Sequence, residues 1–201
     1  MGAGMNLPAA PISDTALESE LFFECCWFEK AAEDLNVFVQ TQIPIQMDPV
    51  MHNILAWSYV DRMLVHATRI SRLVEPGSAP DSRESKTSFK ERVRFAEEFR
   101  KRINLKTLKT EELRRCRNAV EHSNERLVDY ILEHKGGRTG PFSVRWGEAT
   151  VADAGVKAYR QFNHSTGEVL VFGRRANLLE AYAAVVLIKQ VIHSHADSEV
   201  H

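Results

Sequence analysis

Apolar residues recur along the first part of the chain at alternating spacings of four and three. Leu17, Leu21, Cys25, Phe28, Ala32, Leu35 and Val39 form one such stripe, which predicts a long amphipathic helix over about residues 14–42. Ser13 or Asp14 is a suitable N-cap, and Pro44 stands where the helix must stop. Phe22, Trp27 and Phe38 widen the apolar face, so this helix is expected to bury one side in its own bundle and another against a second subunit. A second helix is predicted over about residues 48–74, with Pro49 in its first turn and Met51, Ile54, Leu55, Trp57, Met63, Ala67 and Ile70 as its apolar positions. The run Glu75-Pro-Gly-Ser-Ala-Pro-Asp-Ser82 breaks the periodicity and predicts a loop. A third helix over about 86–103 carries Phe89, Val93, Ala96, Phe99 and Ile103 on its buried face. Thr110-Glu-Glu-Leu opens a fourth over about 110–134, with Leu113, Cys116, Val120, Leu127 and Ile131 inward and Gly136-Gly137 after its end.

The period then changes. Phe142, Val144 and Trp146 alternate with polar residues, as do Val156, Ala158, Arg160 and Phe162. Asn163-His-Ser-Thr-Gly167 reads as a hairpin turn, followed by the apolar strand Val169-Leu-Val-Phe172. These features predict a small antiparallel sheet of two or three strands, inserted at about residues 141–173. A last helix over about 175–193 carries Leu178, Leu179, Tyr182, Val185, Val186 and Ile192. The expected architecture is one mainly α domain over residues 14–201, a bundle of four or five helices with a β insertion, after a flexible segment 1–13.

With 44% hydrophobic residues in 201, the chain can bury a sizeable core. The formal net charge of -1 is less informative than its distribution. Residues 1–61 hold nine carboxylates and one base, Lys30, whereas residues 83–117 hold thirteen Lys or Arg against six Glu. That window predicts either a phosphate-facing surface or a solvated face of interspersed charges. Three cysteines, Cys25, Cys26 and Cys116, make a secreted disulfide framework improbable and give no zinc spacing. No apolar run reaches the roughly 20 residues of a membrane span, and the start lacks the pattern of a signal peptide. The expectation is a cytoplasmic protein with no membrane association, no metal and no cofactor.

The candidate chemistry lies in Leu113-Arg-Arg-Cys-Arg-Asn-Ala-Val-Glu-His-Ser-Asn-Glu-Arg126 of the fourth helix. Asn118 and His122 are one helical turn apart and share a face, and Arg115 falls on nearly that face. Arg117 lies beside them and can pair with Glu121, four residues on. This segment resembles the signature of HEPN domains, in which an Arg followed by a polar residue precedes a His by four to six positions. Arg117, Asn118 and His122 match that signature, Arg115 also satisfies the spacing, and Glu121 and Glu125-Arg126 accompany the motif as in many members. The resemblance covers residues 14–134 and extends plausibly to the last helix.

The resemblance implies a homodimer in which two motif helices form a composite, metal-independent endoribonuclease site. His122 would be the acid–base, since imidazole, with a reference pKa of about 6.5, can take the 2′-hydroxyl proton and protonate the departing 5′-oxygen. Arg117 would clamp the phosphate with its planar fork, and Asn118 would orient one or the other. RNA is then the expected substrate, and a neutralising antitoxin, as a separate protein, is the further partner the resemblance implies. The alternative within the same family is a non-catalytic nucleic-acid-binding or protein-interaction module of a toxin–antitoxin or defence system. Other candidates read as structural. Cys25-Cys26-Trp27 sits in an apolar stripe, and His193, His195 and His201 lie near the chain end, where fraying is expected. His52 and His66 flank a helix, His164 belongs to a turn, and Tyr130, Trp146 and Phe162 suit packing better than base stacking.

Overall fold

The computed structural model describes residues 14–41, 49–77, 80, 84–103, 111–121, 143–145 and 160–198. Within them run the helices α1 (Asp14–Gln40), α2 (Pro49–Val74), α3 (Lys86–Ile103), α4 (Glu111–Glu121) and α5 (Leu178–Ser198). The strands are β1 (Ser143–Arg145), β2 (Arg160–Asn163), β3 (Glu168–Val171) and β4 (Arg174–Asn177). The mainly α class is as the periodicity predicts, and the first three helices lie within two residues of their expected bounds. The second half of the expected fourth helix, residues 122–134, lies outside the described residues, as do the strand positions Val156 and Ala158 and the residue Trp146.

The stripe on α1 becomes the core because its spacing keeps Leu21, Cys25, Phe28 and Leu35 on one side, all less than 5% exposed. α2 lies against it in the opposite direction, as the pairs Glu24–His66 and Phe38–His52 require. From α2 come Trp57, Val60, Met63, Leu64, Ala67 and Ile70, all buried. α2 is the hub, touching α1, α3, α4 and α5. Phe95 and Phe99 of α3 stack at 5.7 Å between ring centroids and close the core on that side. Phe23 and Trp27 of α1 remain 59% exposed, so part of the wide apolar face is left uncovered among the described residues. No helix among the described residues is long and apolar enough to cross a membrane.

β2, β3 and β4 pair antiparallel, as expected of a small three-stranded sheet, but among the described residues the sheet departs from the expectation in two ways. It has four strands in the order β1-β2-β3-β4, and β1 runs parallel to β2, with Val144 opposite Phe162. Residues 146–159 separate these two strands, a length that suits a crossover rather than a hairpin. The second difference is β4, which occupies residues predicted to begin the last helix. Val171 faces Arg174 across a two-residue turn in which Phe172 and Gly173 both have positive φ, 46° and 78°. Such a turn matches the right-handed twist of a hairpin, but Phe in its first position hides the usual Asn-Gly signal. α5 therefore starts only at Leu178, and it runs on to Ser198, so His193 and His195 belong to the helix rather than to a frayed tail.

The start of α5 is held by the expected turn after β2. Asn177 is the N-cap, and its Oδ1 accepts the N–H groups of Leu179 and Glu180 at 3.0 and 3.1 Å. The Leu178 N–H donates to the carbonyl of Gly167 at 2.8 Å. In the turn itself, Asn163 Oδ1 accepts from the N–H groups of Ser165 and Thr166. Gly167 has φ +70°, and a Cβ there would meet Leu179 Cγ at 2.5 Å and Leu179 N at 2.9 Å. Gly173 has a similar φ, +78°, but open space around it. Gly167→Ala is therefore expected to destabilise the protein by more than the ~1–2 kcal/mol of backbone strain alone, and Gly173→Ala by that strain only. Urea midpoints of the two variants against wild type check the ranking.

Candidate functional site

α4 divides cleanly by side. Leu113 and Cys116 are fully buried, Arg114 and Arg115 are exposed, and Arg117 and Asn118 are half-buried along the boundary. Glu111 and Glu112 occupy its first turn, where the helix dipole favours negative charge. Glu112 is only 6% exposed, and its carboxylate accepts the Asn177 N–H at 2.8 Å. That bond ties the start of α4 to the N-cap of α5. In a capping box the residue three after the cap accepts this N–H, so here Glu112 performs across the fold a task that Glu180 would perform locally.

The two candidate arginines meet different surroundings. Arg115 donates to Glu111 at 2.8 Å and lies 3.0 Å from Glu112. The Glu111 hydrogen bond first, and then the Glu112 charge, hold its guanidinium above the ordinary arginine range. Arg117 instead reaches across to α2 and donates from Nη1 to the carbonyl of Glu75 at 3.0 Å. Asn118 follows it on the next position of α4. Glu121 is the last described residue of the helix, and its side chain lies outside what is described. His122 lies outside the described residues.

Sequence reasoning missed the environment Arg117 enters. The last turn of α2 leaves carbonyl groups without helical partners. Arg92 donates to the carbonyl of Arg72 at 2.7 Å, Arg100 to that of Val74 at 2.9 Å, and Arg117 to that of Glu75. Arg100 also lies 3.4 Å from the Glu75 carboxylate, and Arg92 makes a two-pronged pair with Glu84 at 3.0 and 2.7 Å. Three cations from α3 and α4 thus converge on the negative end of the α2 dipole. The only sequence signal for this was the density of arginine after residue 83. Within the same basic window Arg94 pairs with Glu91 and Glu98, and Arg102 with Glu18. Lys86, Lys90, Lys101 and Arg114 are exposed, so the solvated-face reading accounts for much of the window and leaves four described cations facing outward.

A second buried polar group was also invisible in the sequence. Glu24 on α1 is 4% exposed and accepts from Arg69 at 2.9 Å, with His66 Nδ1 2.6 Å from its other oxygen. His66 is therefore a core-edge partner of α1, stacked against Trp27 at 6.4 Å. Cys25 and Cys116 are buried, and burial above all pushes both thiols up from their ordinary range. Cys26 is half-buried. Among the described residues no cluster of three or more His, Cys, Asp or Glu could hold a metal ion. Comparison with family models, with curated proteins and with solved structures finds no match to the chain.

Two outcomes are expected. In the native protein a thiol reagent should label Cys26 well ahead of Cys25 and Cys116, all three becoming reactive in denaturant, as mass mapping of the labelled peptides would reveal. Arg117→Ala should cost about 1 kcal/mol of stability through the lost bond to the α2 terminus, whereas Arg114→Ala stays within about 0.5 kcal/mol of wild type by urea unfolding.

Proposed function

We propose that this chain is a HEPN-type, metal-independent endoribonuclease that cleaves RNA at a composite site formed by two copies of α4 across a homodimer. His122 acts as acid and base, Arg117 clamps the phosphate and Asn118 assists. The observation that carries the reading is the anchoring of Arg117, whose Nη1 donates to the carbonyl of Glu75 at 3.0 Å and so holds the guanidinium in place. Arg115, the other candidate, is engaged by the carboxylates of Glu111 and Glu112, which weakens it as a phosphate ligand. A clamp held by its surroundings loses less entropy on binding than a mobile side chain. The exposed Phe23 and Trp27 supply apolar surface of the kind that a second subunit covers.

One observation favours a second reading. The bond that anchors Arg117 also gives it a purely structural task at the end of α2. On that reading the chain is a non-catalytic HEPN-like module that binds nucleic acid or a protein partner.

The test uses wild type, Arg117→Ala and His122→Ala on a mixed pool of structured and unstructured RNA in excess EDTA. The proposal expects wild-type cleavage leaving 2′,3′-cyclic phosphate ends, with His122→Ala slower by at least about 100-fold. Because Arg117→Ala also removes a structural bond, its activity is read beside its unfolding midpoint. Intact RNA with wild type, or wild-type rates with His122→Ala, overturns the ribonuclease and leaves the interaction module.

A further inference from the structure

A cleft of about 370 Å³ opens between α1, the turn after β2 and the start of α5. That volume lies within the range of small-molecule sites, about 300–1,000 Å³. Its apolar wall includes Phe162, 3% exposed, and its rim includes Tyr182, 38% exposed. Met63 and Leu178 add further apolar surface. Polar groups of the described lining include the carboxylates of Glu29 and Glu33, the Asn36 amide, the His164 imidazole and the Tyr182 hydroxyl.

We propose that this cleft binds a small organic cation with an aromatic body, an arylalkylamine by chemical class. Among the described residues lining it there is neither lysine nor arginine. A phosphate or carboxylate entering would face the Glu33 carboxylate, with Glu29 already paired to Lys189. A neutral apolar molecule would strip water from them without replacing its hydrogen bonds. An ammonium meets acceptors on the α1 side, while its ring lies against Phe162 and Tyr182, whose faces also attract cations. Burial lowers the affinity of His164 for a proton, so at neutral pH the imidazole adds no opposing positive charge.

Three features that oppose a cation are smaller. The N-terminus of α5 is nearby, but its first three N–H groups already bond to the Gly167 carbonyl and Asn177 Oδ1. Lys189 pairs with Glu29, which leaves Glu33 as the principal anchor. Glu33 pairs with Lys30, but both are more than half exposed, at 65% and 56%, and water screens such a pair. Among the described residues none of α4 lines the cleft, so the amine titration and the RNA-cleavage assay test separate sites.

The experiment is calorimetric titration of the full chain with three molecules of one shape: phenethylamine, phenylacetate and 2-phenylethanol. The proposal expects saturable binding of phenethylamine at one site and none of phenylacetate. It expects the alcohol to bind at least about tenfold more weakly than the amine, with a similar loss of amine affinity in both Glu33→Gln and Tyr182→Ala. Both positions lie at the rim, and unchanged unfolding midpoints establish that the variants are folded. Absence of saturable amine binding, equal binding of phenylacetate or the alcohol, or wild-type affinity in either folded variant overturns it.

Discussion

α2 ends half-buried against α3 and α4, and its last carbonyl groups find donors there. A carbonyl that loses water without gaining a partner costs about 1–3 kcal/mol, and here three carbonyls within four residues, those of Arg72, Val74 and Glu75, are met by arginines. The donors come from two other helices: Arg92 and Arg100 from α3, and Arg117 from α4. Because a guanidinium must approach within about 3 Å to bond, these contacts fix where α3 and α4 lie relative to the hub. The core alone leaves more freedom, since apolar contact is roughly proportional to area and has no preferred direction.

The same constraint explains why a stretch so rich in arginine belongs to a chain with a net charge of -1. Arginine suits a helix C-terminus that is partly buried, because it stays charged and its planar fork can serve a carbonyl and a carboxylate together. Arg92 does so with the Arg72 carbonyl and Glu84, and Arg100 with the carbonyl and carboxylate of adjacent residues, Val74 and Glu75. Local positive charge is thus an internal device first. The outward cations, Lys86, Lys90 and Lys101 on α3 and Arg114 on α4, are the part of the window left to meet a polyanion.

The helices were legible because their apolar residues repeat with the helical period, and repetition over four or more turns outweighs any single residue. The turn Asn163-His-Ser-Thr-Gly167 was legible because Asn and Gly each solve a local backbone problem there. β4 was not, because Phe172 with φ 46° is a conformation its side chain does not advertise, and Arg174-Arg-Ala-Asn177 has no alternation. Reading a helix from residue 175 also concealed Asn177 as its cap. The parallel pairing of β1 depends on partners eighteen residues away, and strand pairing of that kind leaves no local pattern. Of the candidate site, residue types and spacing were legible, whereas the partners of Arg115 and Arg117 depend on tertiary approach.

α4 is consequently held by polar contacts at two levels. At its start, Glu112 accepts the N–H of Asn177, and five residues on, Arg117 donates to the Glu75 carbonyl at the end of α2. Between them Leu113 and Cys116 are fully buried. Neither polar contact is local in sequence, so the helix carrying the motif gains its position from both the sheet side and the bundle side. A substitution at Glu112 would disturb two helix starts at once, since its carboxylate lies near Arg115 and bonds the cap of α5. On the proposed function, Arg117 would combine this structural use with a chemical one. If Arg117 is held at α2 in order to present its charge, removing the Glu75 contact by shortening α2 should weaken catalysis and stability together; if the contact is purely structural, stability alone should fall.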